Sequence, residues 1–386
     1  MVYLDFNATT PLDPRVELAM SELPSFIANP GSIQHYSGMQ AKNLLEESRE
    51  SVANSLGASS QEIIFTSGSS EGVSLSVLGI SPQLVRQSTG ILVVTTEHKA
   101  VLNAASMARK LFNVNIDYVG VNQQGLIDLN ELDSQLRTGK FSFLAVMHSN
   151  NETGVVQDIR AIAEMAKEHG VLIFCDLTQS IGKIPVSEIL TLVDFAVMSA
   201  HKFYGPKGIG VLYAKRDAQK VLDSLVPGGG QERGLRGGTP NVPGAFGLAK
   251  SLEFSMEDME TNSSKYAVLS HRFISNLIDL KINFEQIGEF APRLSNTLNL
   301  RFNGYEADSL MANMPDVEVS TGSACNSAVV EPSHVLLAHG IGVLAANECI
   351  RFSFGISTTP EEIDFTCRRL AEAMSRIEQK SLATAK

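Results

Sequence analysis

The chain has 386 residues, of which 44% are hydrophobic and 19% charged, and its net charge is −11. That length points to two domains, and that composition to an ordinary globular protein rather than a disordered one. The acidic balance argues against a generic binder of nucleic-acid backbones, no run approaches the roughly 20 apolar residues of a membrane span, and no basic-then-apolar leader opens the chain.

In chain order, residues 39–56 read as a helix with Leu44, Leu45, Val52 and Leu56 on one side. Apolar runs then predict strands over 62–65, 91–95, 143–148, 171–176, 194–199 and 208–213. Amphipathic stretches lie between them; in 159–168, Ile159, Ile162 and Met165 recur at helical spacing. This alternation predicts an α/β fold, a mostly parallel sheet covered by helices. A helix is expected from about 240 to 254, followed by a polar cluster, 256–265, that reads as a domain boundary. The remainder mixes short strands and helices and ends in an amphipathic helix over 360–378. Four cysteines, Cys175, Cys325, Cys349 and Cys367, are too scattered for a disulfide framework or a zinc motif. They fit a reducing cytoplasm.

Chemistry concentrates at the predicted strand ends. Ser199-Ala200-His201-Lys202 follows the strand over 194–199 and precedes the glycine-rich Phe203-Tyr204-Gly205-Pro206-Lys207-Gly208. A lysine beside a pocket loses pKa on burial and becomes an amine able to condense with an aldehyde cofactor; a surface lysine at a strand end is the bland alternative. Asp176 ends the strand over 171–176. It is suited to pairing with the ring nitrogen of pyridoxal 5'-phosphate, or simply to capping the next helix. Gly68-Ser69-Ser70, between a strand and a helical pattern, offers backbone N–H groups and hydroxyls to a phosphate. His98 follows the strand over 91–95, where an imidazole with a near-neutral pKa can serve a reaction. Cys325 lies in Ser320-Thr321-Gly322-Ser323-Ala324-Cys325-Asn326-Ser327, a run of small residues without helix or strand bias. That composition suits a mobile loop better than the buried fate common for a free cysteine, which Cys175 fits.

The ordered set of motifs resembles the NifS/IscS-type cysteine desulfurases, members of the class-V aminotransferase family with the fold-type I architecture. The set comprises Tyr3-Leu4-Asp5-Phe6-Asn7-Ala8-Thr9-Thr10-Pro11, Thr66-Ser67-Gly68-Ser69-Ser70-Glu71, Thr96-Glu97-His98-Lys99-Ala100-Val101 and His148-Ser149-Asn150-Asn151-Glu152-Thr153-Gly154. It continues with the Lys202 segment, Gly228-Gly229-Gly230-Gln231-Glu232-Arg233-Gly234-Leu235-Arg236 and Gly322-Ser323-Ala324-Cys325. The resemblance implies a large cofactor domain over 15–255 with a seven-stranded type of sheet. A smaller α+β domain, from 1–14 and 256–386, would carry the cysteine loop.

The resemblance also implies roles. Ser69, Ser70, Ser199 and His201 would hold the phosphate, joined by Thr239 from the other subunit of a homodimer. His98 would stack on the ring and shuttle protons, Asn151 would bond the phenolic oxygen, and Gln179 would contact the same side. Arg351 would hold the substrate carboxylate in a bidentate fork, assisted by Asn29. L-Cysteine would displace Lys202 from the cofactor and lose its Cα proton to it. The Cys325 thiolate would then take the sulfur as a persulfide, alanine would leave, and an acceptor protein would receive the sulfur. No metal is implied. Departures are modest: Gly237-Gly238 where Ser-Gly is common, Phe6 in the first motif, and Gly72-Val73 where polar residues are usual. The chain stops at Lys386 without the longer tail that docks iron–sulfur scaffolds. The acceptor is therefore left open among iron–sulfur assembly, tRNA thiolation, nitrogenase maturation and DNA sulfur modification. The competing readings are another lyase or aminotransferase using this cofactor, such as a selenocysteine lyase, and a sulfur-carrier subunit dependent on a partner.

Overall fold

The computed structural model describes residues 1–321 and 332–384. After a short strand β1 (Val2–Tyr3), seven strands build the central sheet: β2 (Ile63–Thr66), β3 (Gly90–Val94), β4 (Asn115–Val119), β5 (Phe141–Met147), β6 (Leu172–Asp176), β7 (Phe195–Ser199) and β8 (Gly210–Ala214). Their spatial order is β2-β8-β7-β6-β5-β3-β4, and β8 alone runs against its neighbours. Helices cover both faces, so the strands read as continuous apolar runs. Alternation along each strand still sorts the side chains. Leu92, Val94, Leu144, Val146, Ile173 and Met198 enter one core. Ile91, Val93, Phe143, Ala145, Phe174 and Val197 enter the other.

A third core unites the two ends of the described chain. Leu4 packs with Phe273, Phe302, Phe352 and Phe354, between the helices Met259–Asp279 and Pro360–Thr384 and a three-stranded antiparallel sheet. That sheet comprises β9 (Glu285–Gln286), β10 (Thr297–Arg301) and β12 (Cys349–Ser353), while β11 (Val317–Glu318) pairs in parallel with β1.

Six of the seven central strands fall within three residues of the expected positions. The missing one, β4, is an edge strand whose Asn115, Asp117 and Tyr118 face solvent, so it lacks the apolar run that marks the others. The polar cluster 256–265, read as a domain boundary, is helical on both sides of Asp258. One helix, Val242–Glu257, ends at Asp258, and the next begins at Met259. Its polar residues decorate the exposed side of a helix that buries Tyr266, Leu269 and Phe273. Among the described residues no helix is long and apolar enough to cross a membrane.

The parallel strands end on one edge of the sheet. Asp176 closes β6, Ser199 closes β7, and the loops after β3 and β5 carry His98 and Asn151. Open α/β sheets place their ligands at this edge.

Candidate active site

A cavity of about 1180 Å³ opens at that edge. Ser69, Ser70, His98, Asn151, Asp176, Gln179, Ser199, His201, Lys202 and Arg351 all line it.

One end is built for an anion. The helix Ser69–Gln87 begins directly after β2, and its N-cap, Gly68, offers no side-chain partner to the first-turn N–H groups. Such unpaired donors and the positive end of the helix dipole favour a phosphate. Gly68 has φ +152°, and a Cβ there would stand 3.3 Å from Ser199 Oγ, so the loop can lie directly against the end of β7. Ser69 Oγ and Thr178 Oγ1 share a hydrogen bond of 2.7 Å. The acid in this turn is neutralised: Glu71 accepts from Ser67 N at 2.5 Å and from Arg236 Nε at 2.7 Å. Burial works to raise the Glu71 carboxyl, and those donors overcome it and hold it below its ordinary value. His201 Nδ1 lies 3.1 Å from Thr9 Oγ1. Burial, with the charges of Lys202 and Lys207, pushes its pKa down to about 4, so the imidazole is neutral at pH 7.

Lys202 stands in the short 3-10 turn Ala200–Lys202, and its Nζ donates to the carbonyls of Asn7 at 2.7 Å and Ala8 at 2.6 Å. Burial and then Arg351 push the amine down to about 8, while Asp5 and Asp176 pull the other way. A substantial neutral fraction therefore exists near pH 8, as condensation with an aldehyde requires. The buried Asp176 accepts from Thr178 N at 2.8 Å and lines the same cavity. A depressed lysine, a buried carboxylate and a helix N-terminus around one space form the donor set that pyridoxal phosphate needs, and the residues fit that group.

His98 caps the helix Lys99–Phe112, its Nδ1 accepting from Ala100 N at 3.1 Å. Burial lowers its pKa, Asp176 opposes this, and Lys202, His334 and Lys99 reinforce it. The neutral ring then carries its proton on Nε2. Gln179 Nε2 donates to Asn7 O at 2.9 Å. The carbonyl of Asn151 accepts from Arg351 Nη1 at 3.1 Å, and Arg351 Nη2 reaches Asp5 Oδ1 at 2.5 Å. Arg351 Nε is buried with no partner among the described residues, a donor left over for an incoming carboxylate. Beside it, Glu152 accepts from Ser333 Oγ at 2.5 Å, and burial raises its acid to about 7.

Two expected residues do not join this set. Asn29 is exposed, its Oδ1 turned back to Gly31 N at 2.9 Å. Thr239 is exposed and lies outside the lining of this chain's cavity. Cys325 lies outside the described residues; Ser320 and His334, on either side of that gap, both line the cavity. Cys175, Cys349 and Cys367 are buried. Burial pushes the Cys175 thiol well up and the other two to about 12.

Sequence reasoning assigned no role to Asp5, Asn7, Ala8, Thr178 or Lys183. Asn7 and Ala8 act through backbone carbonyls, which no residue type announces. Asp5 lies in the motif Tyr3–Pro11, and Thr178 stands between Asp176 and Gln179.

The chain matches the family Aminotransferase class-V over residues 2–365. It is 39% identical to the cysteine desulfurase IscS of Histophilus somni strain 2336, over 98% of this chain and 94% of that protein. A solved NifS-like protein superposes with a TM-score of 0.89 at 33% identity, covering 97% of this chain and 99% of that one. SspA in complex with cysteine superposes with a TM-score of 0.80 at 32% identity, covering 92% and 99%. With its Lys202 and Asp176 at adjoining strand ends of the same fold, the chain belongs to the class-V aminotransferase family.

Proposed function

We propose that this chain is a pyridoxal-phosphate-dependent cysteine desulfurase that converts L-cysteine to L-alanine and loads the sulfur onto Cys325 for delivery to an acceptor protein. The observation that carries this is the convergence of a depressed lysine amine, a buried carboxylate and an arginine with an unpartnered donor on one cavity. The names of the relatives, and a structural neighbour solved with cysteine, support the choice of substrate.

The bound cofactor supplies an aldehyde that captures the substrate amine and a ring that accepts electrons from Cα. Lys202 holds it covalently, Ser69, Ser70, Ser199 and His201 hold its phosphate, and Asp176 keeps a proton on its ring nitrogen. Asn151 and Gln179 flank the ring. Arg351 grips the substrate carboxylate through its free donor. Lys202 takes the Cα proton, and the neutral His98 is placed to move a second proton. The Cys325 thiolate attacks the substrate sulfur. An S–S bond forms as the Cβ–S bond breaks, the electron pair returns to carbon, and a proton joins it there. Cysteine and a thiol thus become alanine and a persulfide, with no outside oxidant.

The same reading includes a homodimer in which Thr239 reaches the second copy's phosphate; its exposure away from its own cavity supports this. It also includes a division between a cofactor domain over 15–255 and a smaller domain from 1–14 and 256–386, and a cytoplasmic setting.

Cys325→Ser tests the proposal. Alanine release should fall by about 100-fold or more, while L-cysteine still changes the visible spectrum of the holoenzyme. After brief treatment with L-cysteine, mass spectrometry of the wild type should find the added sulfur on the Cys325 peptide. Wild-type alanine output from the variant, or added sulfur on Cys349 or Cys367, would refute the assignment.

A further inference from the structure

We propose that Lys183 is a positioning residue for the cofactor: it fixes the Gln179 side-chain amide so that its NH2 group, and not its carbonyl, faces the ring. This deepens the reading above and rests on it.

Lys183 follows Gln179 by four residues, and its Nζ lies 3.0 Å from both the backbone O and the Oε1 of Gln179. Both contacts are made to carbonyl oxygens, so the amine donates in each. An ammonium has no lone pair with which to accept from an amide NH2. Oε1 is therefore held toward Lys183, which turns Nε2 to the opposite side. There it donates to Asn7 O at 2.9 Å, and the same carbonyl accepts from Lys202 Nζ at 2.7 Å. Lys183, Gln179, Asn7 and Lys202 thus form one continuous line of hydrogen bonds ending on the reactive amine. An amide nitrogen has two N–H groups, and Asn7 occupies one. Gln179 is buried and lines the cavity, so the second is available there.

Reversing the amide would set Oε1 against the Asn7 carbonyl and NH2 against the ammonium, a mismatch at both ends. Without Lys183 only one end resists. Burial, reinforced by Lys202, lowers the Lys183 amine to about 7; the ammonium form enforces the orientation at its own end, and in the neutral form, which keeps two N–H groups for its two acceptors but gains a lone pair, the Asn7 carbonyl still resists the reversed amide. The other charges acting on Lys202 are Arg351, Asp5 and Asp176, and none of them contacts the Gln179 amide in this line.

A donor aimed at the ring oxygen stabilises that oxygen as an anion and competes for the proton it shares with the Lys202 nitrogen. Losing the donor should strengthen that sharing and raise the pH at which the proton leaves. The readout is the pH midpoint of the visible band of holoenzyme without substrate. Lys183→Met should raise the midpoint by about half a pH unit or more. Part of that rise reflects lost charge, so the replacement is repeated with Gln179→Ala in place, where the rise should shrink by about half or more. Lys183→Gln loses the charge but keeps an N–H donor, so its midpoint should rise by no more than about half as much as that of Lys183→Met. An unshifted Lys183→Met, or an equal shift with and without Gln179, overturns the inference. If Lys183→Met does not fold, Lys183→Gln decides alone: a rise of about a quarter of a unit or less, the share of the lost charge, supports the inference, and a larger rise overturns it. A wild type with no visible band after adding pyridoxal phosphate would instead remove the Lys202 assignment beneath it.

Discussion

One wall of the cavity is laid down by neighbouring strand ends, the other by residues from opposite ends of the chain. On the first, Asp176 pairs in register with Val197, Ser199 follows two residues on, and Lys202 comes three after that. On the second, the lining residue Arg351 bonds Asp5 across 346 residues of sequence and also donates to the Asn151 carbonyl. Strand register fixes the first wall as soon as the sheet forms. The second exists only when the third core has brought β1 and β12 together. The first wall should therefore carry the chemistry that tolerates no displacement, and the second should recognise the substrate.

Lys202→Ala breaks the first wall outright. Turnover should fall by at least about 1000-fold and the covalent visible band should vanish, while some cofactor remains through its phosphate contacts. Absorption spectra before and after gel filtration check this. Retained turnover would show that the strand-end wall does not hold the reactive amine.

Arg351→Gln attacks the second wall. It removes the charge and the free donor, leaves Asp5 without its partner, and should lower kcat/KM by about 100-fold, mostly through KM. A loss confined to kcat, with KM unchanged, would mean that the two walls do not divide the work in this way.

Glu152→Gln sharpens the comparison by a smaller effect. The Glu152 acid is raised from 4.5 to about 7. An acid that binds its proton more tightly when folded loses stability as pH rises, from the unfolded value near 4.5 until the folded group has ionised above about 7. The amide removes that loss. Its Tm should exceed the wild type's by about 2 °C more at pH 8.5 than at pH 5, read by thermal melts. A constant difference across that range would place Glu152's burial outside the account.

The first wall was legible in the sequence because its signals are local. A continuous apolar run ending in Asp176, and another ending just before Lys202, mark both the strands and the point where their ends are exposed to a ligand. The second was legible only in part. Arg351 stood out through family resemblance, but nothing in the sequence shows that Asp5 is its partner, because that contact depends on the packing of β1 against β11 and of β12 against β10. The same distinction explains β4, whose exposed side chains interrupt the apolar run, and the 256–265 helix, whose polarity belongs to a surface face. The line from Lys183 to Lys202 passes through a backbone carbonyl and an amide whose orientation only three-dimensional neighbours determine.

The buried cysteines have a consequence for bookkeeping of another kind, that of sulfur itself. Exchange between a persulfide and a thiol begins with a thiolate. Cys175, Cys349 and Cys367 are enclosed, and their raised pKa values keep them protonated at any pH a cell reaches. A sulfur atom taken from substrate therefore has no internal thiol to wander to. Enclosing the remaining thiols keeps so mobile and easily scrambled an atom from being passed from one of these cysteines to another.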